Sequence, residues 1–242
     1  MSSSDRPPEH LAGAPPTDYE KYIRTAELLA LQKTPDELVT HDELQFMIVH
    51  QVAELWMKLI AHEAARLIGL LEKDKPAPAA YTLRRIHEVQ RLLSDQLRLL
   101  ETMSPKDYMT IRTALGRGSG QESPGFRHLL RLPHLIWPAF QGFLARSGVT
   151  LRQIHEAPEE HTELYILCEG LTDFDEALQM WRWRHLMLVY RIIGAGTPSL
   201  KGKPVEILER GAEERFFPEL WQVRDEVFAE WTAKMKQEMG YH

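Results

Sequence analysis

One cysteine, Cys168, stands in a chain of 242 residues, so neither an internal disulfide nor a multi-cysteine metal site can form. Such usage suits a reducing compartment, and the thiol itself reads as a small buried apolar side chain. Basic excess is also missing. The chain carries 29 Lys and Arg against 35 Asp and Glu, for a formal net charge of −6, and its cations are scattered beside acids. Without a clustered cationic face, a nucleic-acid partner is not expected. No apolar run approaches membrane-spanning length, and the opening MSSSDRPPEHLAGAPP has neither the apolar core of a signal peptide nor an Arg-rich transit pattern. The expectation is a cytoplasmic protein without membrane contact. Several catalytic signatures are absent as well: the repeated Glu-x-x-His of di-iron bundles, the His-Glu-x-x-His of zinc proteases, and the Cys-x-x-Cys-His that tethers haem covalently. The glycine-rich GRGSG lacks the Gly-Lys-Ser/Thr ending of a phosphate loop and follows no strand pattern.

What the chain does have is helical periodicity almost everywhere, with 43% hydrophobic and 26% charged residues. Period-two alternation bounded by turn residues is absent, so the fold class is all-α. Neither a repeat nor a dividing linker interrupts the pattern, which predicts one helical bundle over residues 18–242. Residues 1–17, rich in Pro and Ser, read as a tail that orders only against a partner. Thr40-His41-Asp42-Glu43 reads as a capping box opening a long helix that ends at the Lys/Pro-rich KDKPAPAA. A helix over about 81–103 should follow, then one after Ser104-Pro105, and one over about 126–147 kinked at Pro133 and Pro138. Thr172 with Asp175 reads as the cap of a helix that stops at Gly194, and Pro218 as the first turn of the last helix.

Two histidines fall on apolar faces. Steps of three and four give Phe46, His50, Ala53, Met57 and Ile60 on the first long helix, and Phe174, Leu178, Trp181, His185, Leu188 and Ile192 on the later one. Taken singly, each is ordinarily a hydrogen-bonded core histidine. Two inward imidazoles on separate long helices open a second reading, a haem held non-covalently between helices. Arg112, ending a helix beside GRGSG, is either a solvated arginine or a fork for a carboxylate. Tyr19, Tyr22, Phe46 and Tyr108 either line an apolar pocket or belong to the core.

The string itself carries more. HDELQFMIVHQVAELWMKLIAHE, then MWRWRHLMLVYRIIG and RFFPELWQVR, resemble the tryptophan 2,3-dioxygenase family over most of residues 18–224. An apolar framework alone would not dictate that run of polar residues. The resemblance implies haem b in its Fe(II) form, with O₂ as co-substrate and His185 as the axial ligand of the iron. It places His50 at the distal histidine that hydrogen-bonds the indole N–H, Arg112 at the arginine for the substrate carboxylate, and Tyr108 and Phe46 at the pocket aromatics. Ser119 and Gly120 match a Ser-Gly beside the haem, and Thr197 a threonine at the amino-acid end of the substrate. Tyr19 and Tyr22 match a Tyr-x-x-Tyr reaching a neighbour's pocket, which implies a homotetramer. The implied reaction is cleavage of the indole C2–C3 bond of L-tryptophan, or a close analogue, to N-formylkynurenine in the kynurenine pathway.

The chain departs from the family pattern in three places. Gln121-Glu122-Ser123 stands where the family reads Phe-Gln-Ser. The loop Gly196-Thr197-Pro198-Ser199-Leu200-Lys201-Gly202 differs from the family's Gly-Thr-Gly-Gly-Thr/Ser-Ser-Gly, and Pro198 removes an N–H. The region from about 125 to 165 is shortened. These differences keep open the monooxygenation of a substituted tryptophan, such as a 2-methyl derivative. A haem sensor or O₂-binding protein is the alternative from another class. Retention of His50, Arg112 and Thr197 argues against it, because a sensor has no use for an amino-acid clamp.

Overall fold

The computed structural model describes residues 15–116, 118, 120–196 and 206–239. Twelve α-helices and no strand occur among them: α1 Asp18–Ile23, α2 Thr25–Leu29, α3 Asp42–Leu71, α4 Pro76–Asp95, α5 Leu97–Leu100, α6 Pro105–Ala114, α7 Pro124–Leu129, α8 Leu132–Ser147, α9 Leu151–Glu156, α10 Thr162–Ile192, α11 Glu206–Glu213 and α12 Pro218–Met239. No helix among the described residues is long and apolar enough to cross a membrane.

The architecture rests on three helices. α4 turns back along α3 after a short connection and joins it through the Glu63–Arg85 ion pair, 2.9 Å and buried on the glutamate side. α10 lies parallel to α4 and is tied to it by side chains reaching backbone carbonyls: His87 to Gly170 at 2.9 Å, Gln90 to Phe174 at 2.9 Å and the Trp181 indole to Leu93 at 3.2 Å. Gly170 allows the close approach, since a Cβ there would lie 3.0 Å from Leu83 Cδ1. The main core, including Ile60, Leu67, Leu83, Ile86, Phe140, Phe174 and Phe217, fills the space between these helices, α8 and the start of α12. Removing a fully buried Phe or Leu from it would cost about 2–5 kcal/mol. Cys168 is buried here, and desolvation pushes its thiol up to about 12, so it is inert as a nucleophile.

Several boundaries differ from the sequence expectation because local polar residues are recruited by distant partners. Thr40 does not complete a capping box: its hydroxyl donates to Asp107 of α6 at 2.7 Å, while Glu43 accepts from Val39 N–H and Lys33. Thr172 and Asp175 lie inside α10, which begins ten residues earlier at Thr162. The Thr172 hydroxyl donates to the Cys168 carbonyl. The Asp175 carboxylate accepts from Phe216 N–H, Phe217 N–H, the Trp221 indole and the Gln179 amide. Pro76, expected in a break, occupies the first turn of α4, where its missing N–H costs nothing. The expected helix over 126–147 is two: Ser123 caps an earlier start at Pro124, and the chain breaks at Leu130–Arg131 because Pro133, lacking an N–H, sits in the first turn of a new helix. The turn that ends α10 does reach Gly194, at φ +89°.

A candidate haem cleft between two histidines

α3 and α10 both lie on α4, with α5 and α6 packed across one end. At that end a second core of Val49, Leu97, Leu100, Met103, Ile111 and Leu188 collects the half-buried Phe46, Tyr108, Trp181 and Ile192 around it. Both histidine-bearing faces converge there. His185 projects from α10 with its ring stacked on Trp181, centroids 5.5 Å apart and planes 12° apart. Among the described residues it forms no hydrogen bond. Burial, helped by His50, pushes it down to about 4, so at neutral pH it is an uncharged imidazole with a free lone pair.

His50 faces the same space from α3 but is not simply inward. It stays open to solvent on one side while protein crowds it closely enough that desolvation lowers its pKa, against smaller opposing effects of the Phe46 carbonyl and Glu54. Nδ1 lies 2.7 Å from the Phe46 carbonyl oxygen. A carbonyl can only accept, so Nδ1 carries the proton and Nε2 is left as an acceptor. Phe46 stacks on the ring at 4.0 Å and lies 6.2 Å from Tyr108.

Arg112 ends α6 one turn after Tyr108 and is 9% exposed, which removes the reading of a solvated surface arginine. Its charge acts on Tyr108, whose phenol burial pushes upward. Phe46, His50, Tyr108, Arg112 and His185 are therefore brought together. Gly120 opens a short 3-10 turn, Gly120–Glu122, on the segment leading into α7. Tyr19 and Tyr22 on α1 are 71% and 88% exposed, and among the described residues no hydrogen bond or ring contact joins them to this site. Ser119 and Thr197 lie outside the described residues.

Sequence reasoning missed Glu54 and Trp181 as neighbours of the site. Glu54 lies one turn beyond His50, and its carboxylate accepts from the Ser123 hydroxyl and from Gly125 N–H at 3.0 Å. Trp181 lies one turn before His185 and was read only as part of an apolar stripe. Two surface depressions, of about 350 Å³ beside Glu54, Lys58 and His128 and about 320 Å³ beside His87 and Arg184, are separate from the facing histidines.

The residues present suit a flat, largely apolar group with one axial bond. There is an unpartnered neutral imidazole on one side, an acceptor imidazole on the other, and aromatic walls between. The fold and site thus define an all-helical protein in which histidines of two long helices, α3 and α10, converge on one aromatic-rich end of the bundle.

Comparison with known proteins narrows the class. A family model described as tryptophan 2,3-dioxygenase matches residues 3–132. The tryptophan 2,3-dioxygenase of Myxococcus xanthus (strain DK1622) is 33% identical, with 87% of this chain and 90% of the relative covered. Those of Serratia proteamaculans and Bacillus anthracis are 30% and 33% identical, covering 87% and 85% of this chain and 93% and 91% of their own. The chain belongs to the tryptophan 2,3-dioxygenase family.

Proposed function

We propose that this chain is a haem-dependent oxygenase that inserts both atoms of O₂ across the C2–C3 bond of L-tryptophan, giving N-formylkynurenine. The observation that carries the reading is the pairing of an unpartnered, uncharged His185 with an acceptor-poised His50 beside a buried arginine, in a member of this family. His185 and His50 are the residues that would hold a haem, whose iron would supply the O₂ chemistry that the oxidation requires.

The chain's own residues account for the rest. His185 would hold the iron, kept neutral by burial and oriented by the stacked Trp181 ring. Arg112 offers its fork to the substrate carboxylate, as a planar guanidinium does best where water is scarce. His50 Nε2 accepts the indole N–H, because Nδ1 is already committed to Phe46. With both ends held, the indole has little freedom to rotate away from the reacting face, and that restriction is the main contribution of the protein. Phe46 and Tyr108 keep solvent from the ring, and Ser119, Gly120 and Thr197 complete the amino-acid end. Tyr19 and Tyr22, exposed here, enter a neighbouring subunit's site in a homotetramer.

The test loads the protein with haem, reduces it anaerobically and admits O₂ with L-tryptophan or 2-methyl-L-tryptophan, reading products by mass spectrometry. A gain of two oxygens on L-tryptophan is expected. One oxygen, on the methylated analogue alone, would instead make it a monooxygenase of substituted tryptophan, and no Soret band after haem loading would end the haem reading. Light scattering of the loaded protein checks the tetramer.

A further inference from the structure

Glu54, a neighbour of His50, has no chemical role in the proposed reaction, yet its carboxylate links the histidine-bearing α3 to the segment that runs past Gly120 into α7, with both oxygens in use. One carboxylate oxygen accepts from the Ser123 hydroxyl and the other from Gly125 N–H at 3.0 Å. Ser123 in turn accepts from Phe126 N–H at 3.0 Å, capping α7. The fit leaves no spare room: a Cβ on Gly125 would lie 2.6 Å from Glu54 Oε2 and 3.0 Å from Met57 Cβ.

α7 then carries the constraint across the cleft. Phe126 packs on Trp181 with centroids 5.4 Å apart, and Trp181 stacks on His185. A continuous run of contacts therefore leads from the helix of His50, through Glu54, Ser123, Gly125 and Phe126, to the ring that fixes His185.

We infer that Glu54 is a positioning residue, a clamp that sets the relative placement of the two histidines by anchoring α7 to α3 and so holding Phe126 against Trp181. The inference rests on the reading of His185 as the iron ligand, but the clamp itself is a property of the chain alone. A carboxylate suits the task because it accepts two hydrogen bonds at once from donors on different residues and gives none away. Glutamine in its place keeps one acceptor oxygen and turns an N–H₂ toward a second donor, so it restores only part of the clamp.

Three variants test this: Glu54→Ala, Glu54→Gln and Ser123→Ala, the last removing the hydroxyl that both binds Glu54 and caps α7. Tryptic cleavage after Arg127 of the haem-free chain reports on α7. The iron–histidine stretching band of the ferrous, loaded protein reports on His185. Expected for Glu54→Ala is about tenfold faster cleavage, a shifted or broadened band, and a loss of tenfold or more in kcat at nearly constant KM, with Glu54→Gln and Ser123→Ala intermediate. Wild-type cleavage and an unmoved band in Glu54→Ala would overturn the clamp, as would lost turnover without a change in either. If the wild-type chain takes up no haem, the functional reading falls, while the proteolysis still decides whether Glu54 anchors α7.

Discussion

Replacing His50 by alanine separates two roles that a distal imidazole can play. In the structure the Nδ1 proton is engaged by the Phe46 carbonyl at 2.7 Å, and burial disfavours the imidazolium, so under the proposed function the residue would meet substrate as a neutral acceptor at Nε2. What alanine removes is one neutral hydrogen bond to the indole N–H, worth about 0.5–1.5 kcal/mol net. That converts to a loss of roughly 2- to 13-fold in kcat/KM. A general base would cost far more, on the order of 10²–10⁴. The assay is initial-rate formation of N-formylkynurenine by haem-loaded protein, with haem content and L-tryptophan affinity measured beside it. 1-Methyl-L-tryptophan, which has no indole N–H, gives the control, because its rate should be nearly indifferent to the substitution. A fall of about a hundredfold or more with normal haem and substrate binding would refute the argument and return proton transfer to His50.

Arg112→Lys should raise KM for L-tryptophan about tenfold with little change in kcat, since a point charge replaces a bidentate fork; binding of tryptamine, which lacks the carboxylate, should not respond. Asp175→Ala leaves Phe216 N–H, Phe217 N–H and the Trp221 indole without their buried acceptor, and should lower unfolding free energy by about 3–5 kcal/mol in urea titrations followed by circular dichroism. A loss under about 1 kcal/mol would show that water or a neighbour replaces the carboxylate. His155, buried beside Arg224 with Nε2 unpartnered, has its pKa lowered from an ordinary 6.5 by desolvation. The folded chain therefore binds fewer protons than the unfolded one below that pH, and stability is lost as pH falls through the window beneath it. The urea midpoint should drop between pH 7.5 and 5, and drop less in His155→Gln.

The helices and the faces of His50 and His185 were legible because periodicity is a local property, and the polar run of α3 together with the Trp-Arg-Trp-Arg-His of α10 is specific enough to bring a family to mind. Helix ends were less legible for a physical reason. Thr40 and Asp175 carry the same chemistry whether they cap their own helix or bind a remote segment, and in this fold both serve remote partners, Asp107 and the Phe216 turn. Arg112 stayed open between a solvated arginine and a carboxylate fork on its own residues, because nothing in its neighbours announces that α6 closes over the end of the bundle. Glu54 left a faint signal, a carboxylate one turn from His50 on a mostly apolar helix, and Ser123-Pro124 left a stronger one as a helix start; only the fold joins them.

The parallel seating of α10 on α4 also orders events during synthesis. His50, α3 and α4 leave the ribosome with most of the chain still to come, and their side of the cleft has no opposite wall until His185 emerges and α10 docks through Gly170 and its carbonyl-seeking neighbours His87 and Gln90. Pairing segments so distant in sequence is slow compared with forming the helices themselves. A nascent chain halted before α10 therefore turns the apolar face of α3 and α4 to water, and His50 and His185 come together only with the last third of translation.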